Sequence, residues 1–179
     1  EKRTAFNRSQ KLNYYEISDN LIRFWYRFIF DRQEEIALGL GDVLFDECKA
    51  EIDDFIAHGF EDVAISFLTE QNGKGLLPYY YAPIRNYKVD NSKLGRSIEL
   101  DGLAEGLGKN SNCLLVVECK YRKTPFSVAM LEQLKESVSI FGGYTTIDYY
   151  LFSKSGFTPE IMKLSDSSLH FISLDSMFS

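Results

Sequence analysis

The segments SIELDGLAE (residues 97–105) and LLVVECKYR (residues 114–122) decide the fold of this chain. Both read as β-strands, in which successive side chains point to opposite faces. In the second, Cys113, Leu115, Val117, Cys119 and Tyr121 line one face. Leu114, Val116, Glu118 and Lys120 line the other, so charge enters only at the strand's end. In the first, Ile98, Leu100, Gly102 and Ala104 form the apolar set and leave Glu99 and Asp101 together on the opposite side. The Gly and Asn turn chemistry of GLGKNSN (residues 106–112) predicts a hairpin that lays the two strands side by side and antiparallel. Three carboxylates and one ammonium then converge at a sheet edge.

Such a group suits a divalent cation and a phosphodiester. Mg²⁺ takes hard oxygen ligands, commonly one or two carboxylates plus waters and a substrate phosphate oxygen. A bound ion lowers the pKa of a water and neutralises charge building on phosphorus. A lysine two residues after a metal-binding acid reaches the same cavity, where it orients or helps deprotonate the attacking water, or screens the phosphate. The plain alternative is a cross-strand ion pair of Glu99 with Lys120 on a solvated sheet face, which has no chemistry attached.

Asp101 followed by Glu118-Cys119-Lys120 resembles the core signature of the PD-(D/E)XK, or restriction-endonuclease-like, nuclease superfamily. The proline of that superfamily's name is absent, Ile98 or Glu99 standing in its place. The runs YYEISDNLIRFWYRFIF (14–30), GFEDVAISFL (59–68) and YYLFSKSGFTPEI (149–161) together look like the C-terminal region of archaeal-type AAA+ ATPases. There, a P-loop module and a winged helix precede a nuclease-like domain. The resemblance implies an α/β fold with a restriction-endonuclease-like mixed central sheet flanked by helices. A short winged-helix-derived strand and an aromatic helix would precede it, with residues 1–32 ending the winged-helix and linker region and residues 33–179 forming the nuclease-like domain.

The implied activity is hydrolysis of DNA phosphodiesters with Mg²⁺ or Mn²⁺, in a domain attached to an upstream ATPase module of the same chain. Asp101, Glu118 and Glu61 would be metal ligands, with Glu99 a further candidate, and Lys120 a catalytic cation. Glu61 matches the acid that the first core helix of that superfamily often contributes. Its other reading is a helix N-terminal charge favoured by the macrodipole. Gln133, on a helix after the Glu-x-Lys strand, matches a polar group that reaches the active site in related nucleases, or is a surface glutamine. A second function class is a catalytically silent module that docks the ATPase to DNA, to a partner or to itself.

At 179 residues, 45% hydrophobic and 26% charged, the chain fits one globular domain with a short appendage. Its 20 bases against 26 acids, a formal charge of −6 with pI near 5.0, do not provide the basic coat of an autonomous DNA binder. Arg85, Lys88, Lys93 and Arg96, and Lys120, Arg122 and Lys123, are local candidates for phosphate contacts or for solvated loops. Cys48, Cys113 and Cys119 have no CxxC spacing and are odd in number, which predicts a reducing, cytoplasmic setting. His58 and His170 alone are too few for a zinc centre. No apolar run approaches the roughly 18 residues of a membrane span, and no Walker-type glycine loop occurs. With no initiator Met, the ATPase half is expected upstream of residue 1.

Along the chain, KLNYYEIS (11–18) predicts a strand, and Ser18 or Asp19 caps a helix to about residue 32. Leu21, Ile22, Phe24, Trp25, Tyr26 and Phe28 put apolar groups on nearly every side of that helix. It is either a buried packing helix or an interface with the ATPase half or a second protomer, making a homo-oligomer. Helices are expected over about 42–57, 59–70 and 126–141, the last with a stripe of Phe126, Met130, Leu134, Val138 and Phe141. One or two strands broken at Pro83, a strand in TTIDYYLFS (145–153), a capped helix in SGFTPEIMKL (155–164) and a last strand in LHFISL (169–174) complete an αβββαβ order with a later αβ unit.

Overall fold

A computed structural model of the chain describes residues 2–4, 13–15, 17–91 and 96–178. Strands β1 (Lys2–Thr4) and β2 (Asn13–Tyr15) pair antiparallel. β2 is the strand expected within KLNYYEIS. Helix α1 (Asn20–Phe28) starts at Asp19, whose side chain accepts the Ile22 N–H at 3.0 Å. It ends four residues earlier than expected. A 3₁₀ turn at Phe30–Arg32 and a short α2 (Gln33–Ala37) follow.

Helix α3 (Gly41–Gly73) is a single helix of 33 residues where two were expected. Gly59 is tolerated at mid-helix for a reason of magnitude. A glycine there costs roughly 0.5–1 kcal/mol relative to alanine. Phe60, Ala64 and Leu68, one turn apart on the following stretch, are all buried against the sheet, and a large apolar side chain gains about 1.5–3 kcal/mol on full burial. The packing outweighs the glycine.

Five strands form the central sheet in the order β3 (Arg85–Asn91), β4 (Arg96–Glu105), β5 (Cys113–Lys120), β6 (Thr146–Ser153), β7 (Leu169–Ser173). The first three run antiparallel and the last three parallel. The hairpin expected from GLGKNSN joins β4 to β5, with a 3₁₀ turn at Gly108–Asn110. Helix α4 (Val128–Val138) crosses between β5 and β6, and a one-turn α5 (Pro159–Met162) between β6 and β7. The fold is a mixed α/β arrangement, a five-stranded mixed sheet flanked by helices.

Strand alternation sorts the core into two layers. Leu114 and Val116 pack with Leu131, Leu134 and Val138 of α4, whereas Leu115, Val117 and Cys119 pack with α3. β5 is therefore covered on both faces, as expected for a strand whose neighbours include a parallel partner. The alternation expected for β4 fails at one point. Tyr87 pairs with Leu100 and Arg85 with Leu103, so β4 holds one more residue than β3 at Asp101–Gly102. This β-bulge reverses the alternation. Leu103 joins Ile98 and Leu100 on the α4 side, and Ala104 turns to the α3 side.

Gly102 is required by close approach. A Cβ there would lie 2.8 Å from Val117 Cγ2 and 2.9 Å from Ile84 Cγ2. Gly102→Ala should therefore destabilise the fold by about 1–3 kcal/mol through overpacking, lowering the urea midpoint with an unchanged slope. Gly59 is the opposite case, since a Cβ there meets nothing within 4 Å. Gly59→Ala should raise stability by about 0.5–1 kcal/mol. A lower urea midpoint for Gly59→Ala would show that α3 is not continuous through that position.

Candidate functional site

The bulge and the hairpin together place Asp101 beside the end of β5. The β4–β5 ladder runs from Glu105↔Leu114 to Gly102↔Val117 and stops there. One step further, the Cys119 N–H donates to Asp101 Oδ2 at 2.6 Å. A side-chain carboxylate thus takes the amide that a continuing β4 backbone would have accepted, and the strands part. β4 goes on paired with β3, and β5 goes on paired with β6 as far as Lys120↔Ser153.

Glu118 and Lys120 stand at this fork. They follow Leu114 and Val116 on one side of β5, and they form an ion pair with each other, their side chains 15% and 21% exposed. Glu61 enters from α3, one residue beyond the buried Phe60. Its negative charge bears on both Asp101 and Glu118. Burial, then the charges of Glu118 and Glu61, hold the Asp101 carboxyl well above the usual carboxylate range, against the Cys119 N–H and Lys120, which lower it. Burial also raises Glu118, with Lys120 the main opposing influence. Burial and the adjoining carboxylates, Asp101 first, push the Cys119 thiol well up, so it stays neutral.

Two sequence candidates lie apart from this group. Glu99 is exposed and bonded to the Lys88 ammonium across the β3–β4 pair, at 2.9 Å. The charges that bear on Asp101 are those of Glu118, Glu61 and Lys120, and Glu99 is not among them. Neither partner of the alternative Glu99–Lys120 ion pair makes that contact. Gln133 is exposed on α4, where its backbone carbonyl accepts the Ser137 hydroxyl. Among the candidate phosphate contacts, Lys93 and the Arg96 side chain lie outside the described residues.

Sequence reading passed over Lys154. β5 and β6 run parallel, so the segments leaving them emerge at the same end. The Lys154 N–H donates to the Lys120 carbonyl at 3.1 Å, and its ammonium lies 4.0 Å from the centre of the Tyr121 ring. The Ser155 hydroxyl donates to the Arg122 carbonyl at 2.6 Å. Arg122 in turn acts electrostatically on Glu118. KYRK and FSKS therefore form one cationic margin beside the carboxylates, a proximity readable only from the parallel register.

Among the described residues, no three His, Cys, Asp or Glu side chains form a group that could hold a metal ion. Asp101 and Glu118, with Glu61 bearing on them, offer a pair of hard oxygen ligands rather than a closed cage. Such a pair is sufficient for an ion that keeps most of its waters. No helix among the described residues is long and apolar enough to cross a membrane.

Comparison with known proteins adds a family. Residues 25–136 match the model of DUF234, described as archaea bacterial proteins of unknown function. The chain is also 34% identical over 115 residues to the uncharacterized protein MJECL04 of Methanocaldococcus jannaschii, a stretch covering 64% of this chain and 24% of that protein. This chain thus spans about a quarter of the length of its curated relative. No solved structure matches it. The matched segment contains α3, the bulged β4 and all of β5, and the chain belongs to the DUF234 family.

Proposed function

We propose that this chain is a metal-dependent phosphodiesterase module with a restriction-endonuclease-like core, acting on DNA and attached to an upstream ATPase. The observation that carries the reading is the fork itself. Asp101 and Glu118, from strands that separate there, are held close together and out of water beside Lys120, with Glu61 adding a third negative charge. Crowded, desolvated carboxylates are unfavourable as ions, and perturbed acids in such a place mark functional sites. A divalent cation, when bound, would relieve that repulsion, lower the pKa of a water and neutralise charge on a phosphoryl group.

The residues of the chain supply the rest. Asp101 is oriented by the Cys119 N–H, which fixes one oxygen and leaves the other for a ligand. Lys120 is held over Glu118, where its ammonium can position the attacking water or a non-bridging phosphate oxygen. Arg122, Lys123 and Lys154 line the exit of the same strands and suit phosphates flanking the cleaved one. A catalytically silent docking module is the alternative, and the exposed rings of α1 favour it.

The raised carboxyls have a direct consequence for pH. A carboxyl whose folded-state pKa exceeds its unfolded one favours the fold at low pH and loses that contribution as pH rises from the ordinary value of 3.8 through the raised one. Asp101→Asn keeps an oxygen for the Cys119 N–H and removes the charge. Without divalent ions it should melt above wild type at pH 7–8, the gap closing as pH falls towards 4. In calorimetric titrations with Mn²⁺ at pH 7.5 it should bind at least about tenfold more weakly. Affinity equal to wild type removes Asp101 as a ligand.

Lys120→Ala should lower cleavage of a long DNA substrate in Mg²⁺ or Mn²⁺ by about 10²–10³, the scale for losing one positioned stabilising group. Because Lys120 also pairs with the part-buried Glu118, its loss should cost about 1–3 kcal/mol of stability, so rates are compared where both proteins are folded. Undiminished cleavage by folded Lys120→Ala would falsify its catalytic role. A wild type that binds Mn²⁺ and cuts nothing is instead the docking module.

A further inference from the structure

The chain's acidity is not spread over the molecule. Residues 17–56 hold ten acids and four bases, a net charge of −6 equal to that of all 179 residues, so the remaining 16 acids and 16 bases balance. Three of those four bases are committed within the segment or to α3. Arg23 lies 3.3 Å from Asp62, Arg27 lies 3.6 Å from Glu51, and Arg32 donates to the Cys48 sulfur.

The same segment exposes a cluster of rings. α1 turns Phe24 and Phe28 towards α3, where both meet Phe55 with ring centres 5.8 and 5.7 Å apart. This leaves Trp25, Tyr26 and Phe30 outside, 36%, 52% and 45% exposed, in mutual contact at 4.9–5.2 Å between centres. Leu21, at 76%, extends the patch by one turn. Contiguous exposed rings of this kind mark partner surfaces. Asp31 directly follows Phe30, and Glu34 and Glu35 follow on α2.

We infer that this face binds a cationic amphipathic helix of a partner protein, its apolar side on Trp25, Tyr26 and Phe30 and its lysines or arginines against the surrounding acids. The inference is independent of the phosphodiesterase reading. Charge decides between occupants. A second copy would oppose the same acids across a two-fold axis, and an anionic lipid surface would be repelled. Of these occupants a basic amphipathic helix matches both the rings and the field, its apolar residues serving as anchors at helical spacing.

Trp25 is the single tryptophan of the chain, so its fluorescence reports on the patch directly. The whole chain is titrated at low salt with a synthetic Leu/Lys amphipathic peptide of about five helical turns, and in parallel with a Leu/Glu peptide of the same apolar pattern and a Lys/Ser peptide without an apolar face. The Leu/Lys peptide should shift Trp25 emission to the blue with saturation, and the other two should not. Tyr26→Ser/Phe30→Ser should weaken binding at least about tenfold, and Asp31→Lys/Glu34→Lys should weaken it and flatten its salt dependence. Three results would each overturn the inference: equal response to the Leu/Glu peptide, Leu/Lys binding unchanged in both variants, or a concentration-dependent blue shift with dimer sedimentation and no peptide. Circular dichroism establishes that each variant is folded before titration.

Discussion

The hydrogen bond from the Cys119 N–H to Asp101 is the contact on which the site depends. In an uninterrupted hairpin that amide would belong to the β4 backbone, and the two strands would stay zipped to their ends. A carboxylate in the backbone's place ends the ladder at Gly102↔Val117 and opens a gap between strands that are rigid on both outer sides. The bulge at Asp101–Gly102 makes this geometry available, because the extra residue re-aims the side chain without breaking the β3–β4 pairing. Gly102, hard against Val117 and Ile84, lets the backbone come close enough for the bond to form.

α3 also ties this fork to the acidic segment that carries α1. Its middle and C-terminal turns are buried on β5 through Phe60, Ala64 and Leu68, which fixes Glu61 beside the carboxylates. Just before that stretch, Phe55 of the same helix packs against α1. An uninterrupted helix transmits position along its whole length, so the placement of Glu61 and the seating of α1 are properties of one rigid body. Arg23 makes the link explicit by reaching from α1 to Asp62, the neighbour of Glu61.

Much of this was legible beforehand because burial imposes period. β5, covered on both faces, reads as alternate apolar sets that end in charge, and its neighbours followed from turn chemistry and strand length. The bulge was not legible. It leaves the residue types of β4 unchanged and shows only in how β3 pairs with them, so the expectation that Ala104 shares a face with Ile98 and Leu100 carried strict alternation past the bulge. The break expected near Gly59 failed for a related reason, since local propensity is small beside the burial of Phe60 and Leu68. Lys154 was invisible because its place depends on β5 and β6 being parallel neighbours, a relation between distant segments that no local pattern encodes.

The electrostatics of the fork explain why the site is open rather than a closed cage. Asp101 already gives one oxygen to Cys119, and Glu118 already holds Lys120, so neither carboxylate can wrap a cation fully. A buried full set of ligands would bind an ion tightly and leave no coordination position for a phosphate oxygen. On the proposed reading, two partly engaged acids, with a third bearing on them from α3, would suit an ion that retains waters and exchanges one for substrate. Burial and crowding hold both carboxyls above their ordinary range, so on the proposed reading proton loss and cation binding would be linked events at the same oxygens. Arg122, Lys123 and Lys154 follow at the rim, where on the proposed reading a polyanion would meet local positive charge despite the charge of the chain as a whole.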